Sequence, residues 1–360
     1  MSVLTPDDVR AAVARRAGLV REYLADDAFL ASVEPEHLRA AAGAYLARGG
    51  KGLRPAAVLF FCGAGGGEEQ WALAAGAAVE VTHNWTLVHD DVIDRDDRRR
   101  GGPAVHAELA RRGEDELGFA GDEARHYGLS MAVLAGDVGP CWAAHLVSRL
   151  PENGVTSVET AARIGNELAT VTVPAILAGE AEDVQLGVRP LAETGLDAVE
   201  SMMAKKTGAL YEWCARAGAT VAGAAPDVVA ALGRFAAGCG TAFQHVDDTL
   251  AYTSDDGKTG KTAASDLREG KRTAVVLGAY ENASADERRY IAEALGDPAA
   301  AESDINNLIE KLTALGGVAY ARERAHRYYE EALKELEVLP PGEYRDLLAG
   351  WAEVLLRRTH

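Results

Sequence analysis

Apolar residues recur along this chain at helical spacing, in stretches that break at clusters of glycine and proline, and no run alternates long enough to read as a strand. Thr5-Pro6-Asp7-Asp8 supplies a cap, a proline at the first helical position and acids in the first turn, which predicts a helix to about residue 26. A second helix is expected over about 36–48, ending at Gly49-Gly50, and an apolar run follows at 56–62. After a turn at 63–67, one helix is expected from about 68 to 94. Beyond it the pattern predicts a short helix at 104–111, an irregular acidic insertion at 113–128, and a core helix opening at Ala132 and broken at Pro151. Further helices are expected from about 157, over 196–221 and over 229–253. A loop rich in Lys, Gly and Asp follows at 257–271, then a helical remainder interrupted at Pro340-Pro341. The chain reads as all-α. No Gly/Ser/Pro-rich linker divides its 360 residues, so a single domain over 1–360 is expected.

Hydrophobic residues make up 48% of the sequence, as in a globular protein rather than a disordered one. The net charge of −18 argues against a nucleic-acid partner, and any polyanionic substrate would require the basic residues to be concentrated locally. No apolar run reaches the length of a membrane span. The first twenty residues carry Asp7, Asp8, Arg10, Arg15 and Arg16, an amphipathic helix start rather than a signal peptide. Cys62, Cys141, Cys214 and Cys239 are scattered without metal-binding spacing, as free thiols of a reducing compartment would be. A cytoplasmic location is expected.

The chemistry concentrates where two apolar helices end. In His83-Asn84-Trp85-Thr86-Leu87-Val88-His89-Asp90-Asp91-Val92-Ile93-Asp94, Asp90 and Asp94 are one turn apart and point about 40° from each other around the helix. Like charges at that spacing repel, so the pair is either a solvated acidic helix end or a site for a hard cation such as Mg²⁺. The second helix carries Phe243-Gln244-His245-Val246-Asp247-Asp248. Each aspartate pair is followed by a basic, glycine-containing segment: Arg98-Arg99-Arg100-Gly101-Gly102 after the first, and Gly257-Lys258-Thr259-Gly260-Lys261 after the second. A third basic turn, Gly49-Gly50-Lys51-Gly52-Leu53-Arg54-Pro55, lies upstream, and Lys205-Lys206-Thr207 sits inside an apolar pattern. Any one of these taken alone reads better as ordinary solvated charge. Together, acidic clusters facing each other across a helical bundle would bind several Mg²⁺ ions, and the flanking Lys and Arg would take the phosphate oxygens that metals leave.

Taken in order, Gly50-Lys51-Gly52-Leu53-Arg54-Pro55, His83, Asp90–Asp94, Arg99-Arg100-Gly101, Leu134-Ala135-Gly136-Asp137, Lys206-Thr207, Phe243–Asp248 and Gly260-Lys261 with Ser265-Asp266 resemble the trans-isoprenyl diphosphate synthases, the polyprenyl synthetase family. The resemblance spans 49–273. It implies a helical bundle of the isoprenoid synthase type with a central active-site cavity. It also implies head-to-tail condensation of isopentenyl diphosphate with an allylic diphosphate, in a homodimer. By the same resemblance, Asp90, Asp94 and Asp247 hold Mg²⁺, three ions in all, with Asp91 and Asp248 in support. Arg99, Lys206 and Lys261 contact the allylic diphosphate, which Thr207 and Gln244 line. Lys51, Arg54, His83 and Arg100 bind isopentenyl diphosphate. The allylic C–O bond ionises, the alkene attacks, and the proton leaves to the departing diphosphate, with no protein nucleophile.

The chain departs from the family pattern at three places. Ala251 replaces the last aspartate of the second motif. Glu180 stands where the family usually has Gln, which adds negative charge near the metals, while Asp183 is retained. The 113–128 stretch has no counterpart. Residues Trp85 and Thr86, five and four before the first motif, are where the family sets the cavity floor. Thr86 lies about 40° from Asp90 and Trp85 about 140°, so a small Thr faces the cavity while a large Trp flanks it. A C15 or C20 product is expected. A terpene cyclase of related fold and a non-catalytic subunit of a heteromeric synthase are the alternatives. The intact first motif disfavours the subunit, and Lys51, Arg54, His83 and Arg100 disfavour the cyclase, which needs no isopentenyl site.

Overall fold

The computed structural model describes residues 4–253 and 260–357, without the side chains of residues 251, 253 and 260–263. Among them the helical spacing of apolar residues is realised as helix nearly throughout. In chain order these are α1 (Pro6–Ala25), α2 (Glu36–Ala47), α3 (Leu53–Ala64), α4 (Leu73–Ile93), α5 (Val105–Leu117), α6 (Asp122–Ser148), α7 (Val158–Glu167), α8 (Val173–Val188), α9 (Leu196–Met203) and α10 (Ala209–Val221). There follow α11 (Pro226–Thr253), α12 (Gly260–Glu269), α13 (Ala274–Asn282), α14 (Ala285–Ala294), α15 (Glu302–Ala314), α16 (Gly317–Glu335) and α17 (Glu343–Leu356). Two π-turns, Leu168–Thr172 and Ala204–Gly208, join α7 to α8 and α9 to α10 without ending the helix. The described strands are a two-residue pair, β1 (Arg98–Arg99) against β2 (Gly102–Pro103), antiparallel with Arg98 opposite Pro103.

Two expectations are corrected. The stretch at 113–128 is not irregular: it is the end of α5 and the start of α6, parted by a turn at 118–121. Gly118 (φ 76°) and Gly121 (φ 56°) adopt backbone that other residues resist, so α5 can fold back on α6 at once. Gly113 completes the packing, since a Cβ there would lie 2.8 Å from the Tyr127 ring. The segment expected as loop up to 271 contains α12. Its Ala264 and Leu267 bury in a core with Ile305, Leu308 and Leu312, an apolar face too small to stand out among Lys, Ser, Asp and Arg.

The chain divides into two compact units. One comprises Arg10–Ala169 with Cys214–Ala225. Its core includes Tyr45, Val88, Val105, Leu109 and Met131, and α4 lies along α6 with glycine at the contact. A Cβ on Gly136 would sit 2.0 Å from His89 Nε2, and one on Gly139 would sit 2.3 Å from Trp85 Cβ. Only glycine lets the two helices come this close. The other unit comprises Met1–Val9, Thr170–Trp213 and Pro226–His360. Here α11 lies against α16, and Leu186, Val199, Met203, Leu267, Val276, Ile291 and Leu308 form a core. Each fully buried side chain of this size contributes about 1.5–3 kcal/mol. Among the described residues no helix is long and apolar enough to cross a membrane.

Candidate active site

The first unit gathers a cation nest beside the first aspartate motif. Gly49 (φ 71°) and Gly52 (φ 63°) turn the chain between α2 and α3, and a Cβ on Gly52 would meet Ala17 at 2.3 Å. Gly50 brings the turn against the Arg100 guanidinium, whose Nη2 lies 2.9 Å from where a Cβ would be. Arg100 and Gly101 are the two central residues of the hairpin between β1 and β2, with φ of 50° and 74°, the signs a two-residue type I′ turn demands. A non-glycine residue at such a φ is strained by about 1 kcal/mol or more. Arg100 offsets that cost through Nη1, which donates to the Tyr45 carbonyl at 2.6 Å and to Asn84 Oδ1 at 2.9 Å. Asn84 in turn donates to the Glu80 carboxylate at 3.2 Å, one helical turn back on α4.

Arg54 Nη1 approaches His83 Nε2 at 3.3 Å. Burial, with the charges of Arg54, Arg100 and Arg99, pushes the His83 pKa well below its ordinary value. His83 is therefore a neutral acceptor among three guanidiniums. In a chain of net charge −18 this is the local concentration of positive charge that a polyanionic ligand requires. Lys51 is exposed on the adjoining turn.

The aspartates stand at the opposite electrostatic extreme. Asp90 and Asp91 lie in the last turn of α4 and Asp94 caps it, at the end where the helix dipole is itself negative. Asp91 is completely buried: Tyr45 Oη donates to it, and Arg99 Nε donates to it at 2.6 Å. Arg99 Nη2 also reaches Asp96 at 3.2 Å and Asp90 at 3.5 Å. Arg99, expected on the allylic diphosphate, is thus placed across three carboxylates, and Asp91, expected to support the metals, is tied to Arg99 and Tyr45. Asp90 meets that guanidinium at a looser distance than Asp91 does. Tyr45, Asn84 and Glu80 were not foreseen. Tyr45 lies on a separate helix and gives no sequence signal, whereas the four-residue spacing of Glu80 and Asn84 is one.

Trp85 and Thr86 separate as helical geometry requires. Trp85 is buried against Gly139 of α6, edge-on to His89 with ring centroids 5.7 Å apart. Thr86 is half-buried and donates to the His83 carbonyl at 2.9 Å.

The second unit holds the other acidic cluster. On α11, Gln244 Nε2 donates to Asp248 Oδ1 at 3.0 Å, and Gln244 Oε1 accepts from Thr207 Oγ1 at 2.9 Å. Asp248 Oδ2 is sealed from solvent and meets no hydrogen-bond donor among the described residues. Burial first, then the charges of Asp266, Asp247 and Asp183, push its pKa well above the carboxylate range. A buried, unsatisfied carboxylate oxygen facing further carboxylates is costly unless a cation joins it. Lys206, on the π-turn, lies 2.7 Å from both Asp183 and Glu180. Lys261 begins α12, but its side chain is outside the described residues, as are Lys258 and the Ala251 side chain.

Among the described residues no three His, Cys, Asp or Glu side chains converge into a metal cage. That suits Mg²⁺, which keeps several waters and binds through one or two carboxylates plus substrate phosphates. Each unit by itself offers carboxylates of that kind, Asp248 on α11 in one and Asp90 and Asp94 at the negative end of α4 in the other.

A family model described as polyprenyl synthetase matches residues 35–312. The geranylgeranyl pyrophosphate synthase of Geoglobus acetivorans is 34% identical over 348 residues, covering 96% of this chain and 98% of that protein. The geranylfarnesyl diphosphate synthase of Aeropyrum pernix is 33% identical over 348 residues, covering 95% and 99%. Among solved structures, the geranylgeranyl pyrophosphate synthase of Corynebacterium glutamicum, complexed with isoprenyl diphosphate and magnesium, superposes with a TM-score of 0.80 at 28% identity over 98% of each chain. Matches of this extent leave one assignment: the chain belongs to the polyprenyl synthetase family.

Proposed function

We propose that this protein condenses isopentenyl diphosphate with an allylic diphosphate to a short-chain trans-prenyl diphosphate of C15 or C20. The relatives named geranylgeranyl synthases weigh towards C20. The observation that carries the reading is the pair of guanidiniums, Arg54 and Arg100, near neutral His83, because it supports a second diphosphate site in addition to the aspartate motif, on which Arg99 is engaged. An enzyme that only ionised an allylic diphosphate would not need it.

In this reading Lys51, Arg54 and Arg100 hold the isopentenyl diphosphate, and His83 accepts from Arg54 so that the guanidinium keeps its orientation. Asp90, Asp94 and Asp247 would hold divalent ions, supported by Asp248. When bound, those ions supply Lewis-acid stabilisation of the leaving diphosphate. Lys206, Lys261 and Arg99 bind the remaining phosphate oxygens, with Thr207 and Gln244 lining them, so charge developing on the leaving group meets fixed donors. Trp85 and Thr86 set chain length. The family match runs through both compact units, which supports one catalytic domain over 1–360. The outward apolar stripe on α6 supports a homodimer.

The test is incubation with Mg²⁺, labelled isopentenyl diphosphate and C5, C10 or C15 allylic diphosphates. The expected outcome is a linear labelled prenyl diphosphate. A cyclic hydrocarbon from the allylic diphosphate alone would establish a cyclase instead, and no turnover with any partner a non-catalytic subunit.

A further inference from the structure

Glu180 has no task in that scheme, yet it engages Lys206, a cation to which the scheme gives the allylic diphosphate. A Cβ on Gly179 would lie 2.4 Å from the Lys206 backbone nitrogen and 2.8 Å from its Cα. Helix α8 therefore lies directly against the π-turn Ala204–Gly208, at a distance that only glycine permits. Residues 180 and 183, three apart on α8, share the face that meets the turn. Their carboxylates take the Lys206 ammonium from two directions: Glu180 Oε2 lies 2.7 Å from Nζ, and Asp183 Oδ2 also lies 2.7 Å from it. The neighbouring Lys205 goes elsewhere, to Glu182.

One carboxylate neutralises one ammonium. Here two carboxylates share one, where charge of their own sign is already dense, since Asp183 acts on Asp248 together with Asp247 and Asp266. The pair is mostly shielded from solvent, with 23% of the Lys206 side chain and 16% of the Glu180 side chain exposed, so water weakens the attraction only in part. A phosphate oxygen approaching Lys206 competes with both carboxylates for the charge of an ammonium that already gives two of its three donors to them.

We propose that Glu180 is a restraining residue that competes with the allylic diphosphate for Lys206 and so sets how tightly that diphosphate is held. The inference rests on the reading that Lys206 is a diphosphate contact. Glu180→Gln keeps the size of the side chain and its capacity to accept one hydrogen bond but removes the charge. The predicted effect is on KM for the allylic diphosphate, which falls about threefold to tenfold, the scale of one partly shielded ion pair. KM for isopentenyl diphosphate stays put, and kcat does not fall. Glu180→Asp, shorter but charged, should leave KM closer to that of the wild type.

The test pairs steady-state kinetics with calorimetric titration of inorganic diphosphate in saturating Mg²⁺, on the wild type, E180Q, E180D and K206A, with thermal melts to show that each variant is folded. Tighter diphosphate binding by E180Q and weaker binding by K206A are the expected results. If K206A binds more weakly but E180Q is unchanged, Lys206 is a diphosphate contact and the restraint does not exist. Should K206A bind as the wild type does, the contact itself is wrong and the restraint falls with it. A rise in the Mg²⁺ concentration needed for half-maximal diphosphate binding by E180Q would make Glu180 a metal residue, which also overturns the proposal. If E180Q melts below the assay temperature, E180A, which also removes the charge, replaces it in the same titrations with the same expected and overturning results.

Discussion

At the scale of single residues the proposed isopentenyl diphosphate site turns on Arg100, whose backbone is strained and whose side chain is held by two acceptors. Removing one acceptor leaves the strain in place and the guanidinium free to turn. Asn84→Leu is therefore expected to raise KM for isopentenyl diphosphate about tenfold, the value of one charge-assisted hydrogen bond, and to leave KM for the allylic substrate within twofold. Equal rises in both constants would show that the fold, not Arg100, had been disturbed. His83 gives a pH signature. Its folded pKa is depressed, chiefly by burial and then by Arg54, Arg100 and Arg99, so the unfolded chain binds the proton more readily. The associated stability is complete above the ordinary histidine value near 6.5 and drains away as pH falls from there towards the folded pKa. One proton limits the slope to about 1.4 kcal/mol per pH unit. Denaturant melts between pH 7.5 and 5 should show a flatter decline for His83→Gln than for the wild type. Parallel curves would mean that His83 protonates as freely in the native state as in the unfolded one. The sequence named Arg100 and His83 through the motif that carries them. It was silent on Tyr45 and on the positive φ at Arg100, because both follow from how a hairpin of two arginines docks on α2.

At the scale of elements, the long apolar periods of α4, α6 and α11 were readable because each buries a broad face over many turns. What was misread are segments whose helicity comes from tertiary contact: α12, with its few buried apolar residues, and the glycine-punctuated join of α5 to α6. The π-turns were invisible for a different reason. One extra residue in a helix leaves the apolar pattern almost intact; the π-turn Ala204–Gly208 carries Lys206 and Thr207, which the proposed function sets on the allylic diphosphate. The α4–α6 pair bears on product length. Trp85 fills the contact over Gly139, so Trp85→Ala opens a void between the two helices. A cavity of that kind costs about 3–5 kcal/mol, and the same void offers room to a longer prenyl chain. The expected result is a lower melting temperature together with a product lengthened by at least one C5 unit, read by chromatography of the dephosphorylated alcohols. Loss of stability with product length unchanged would reduce Trp85 to core packing and leave the floor to Thr86.

At the scale of the whole molecule, a net charge of −18 makes two copies repel at long range, so any self-association must be driven by apolar surface. Helix α6 offers such a surface. Leu129, Val133 and Leu134 are 40%, 45% and 49% exposed, and beyond the exposed Asp137 the same face carries Pro140 and the exposed Cys141. Large apolar side chains spaced in a stripe on a helix that buries its other face in the core mark an interface rather than scattered surface. The periodicity of α6 hid this, because a helix apolar on both faces reads simply as a core helix. If the stripe meets its copy, Val133→Glu with Leu134→Glu brings four carboxylates into one apolar contact across the symmetric pair. Each buried, unpaired charge costs several kcal/mol, far beyond what the contact of two α6 helices would return. The variant is expected to sediment as a monomer at concentrations where the wild type is a dimer. Because both positions are exposed within the chain, their replacement should cost the isolated protomer no more than about 0.5 kcal/mol. The melting temperature of the wild type should therefore rise with protein concentration while that of the variant does not, since only an associating fold gains stability by mass action. A variant that still sediments as a dimer would place the interface elsewhere and leave the α6 stripe without a partner of its own kind.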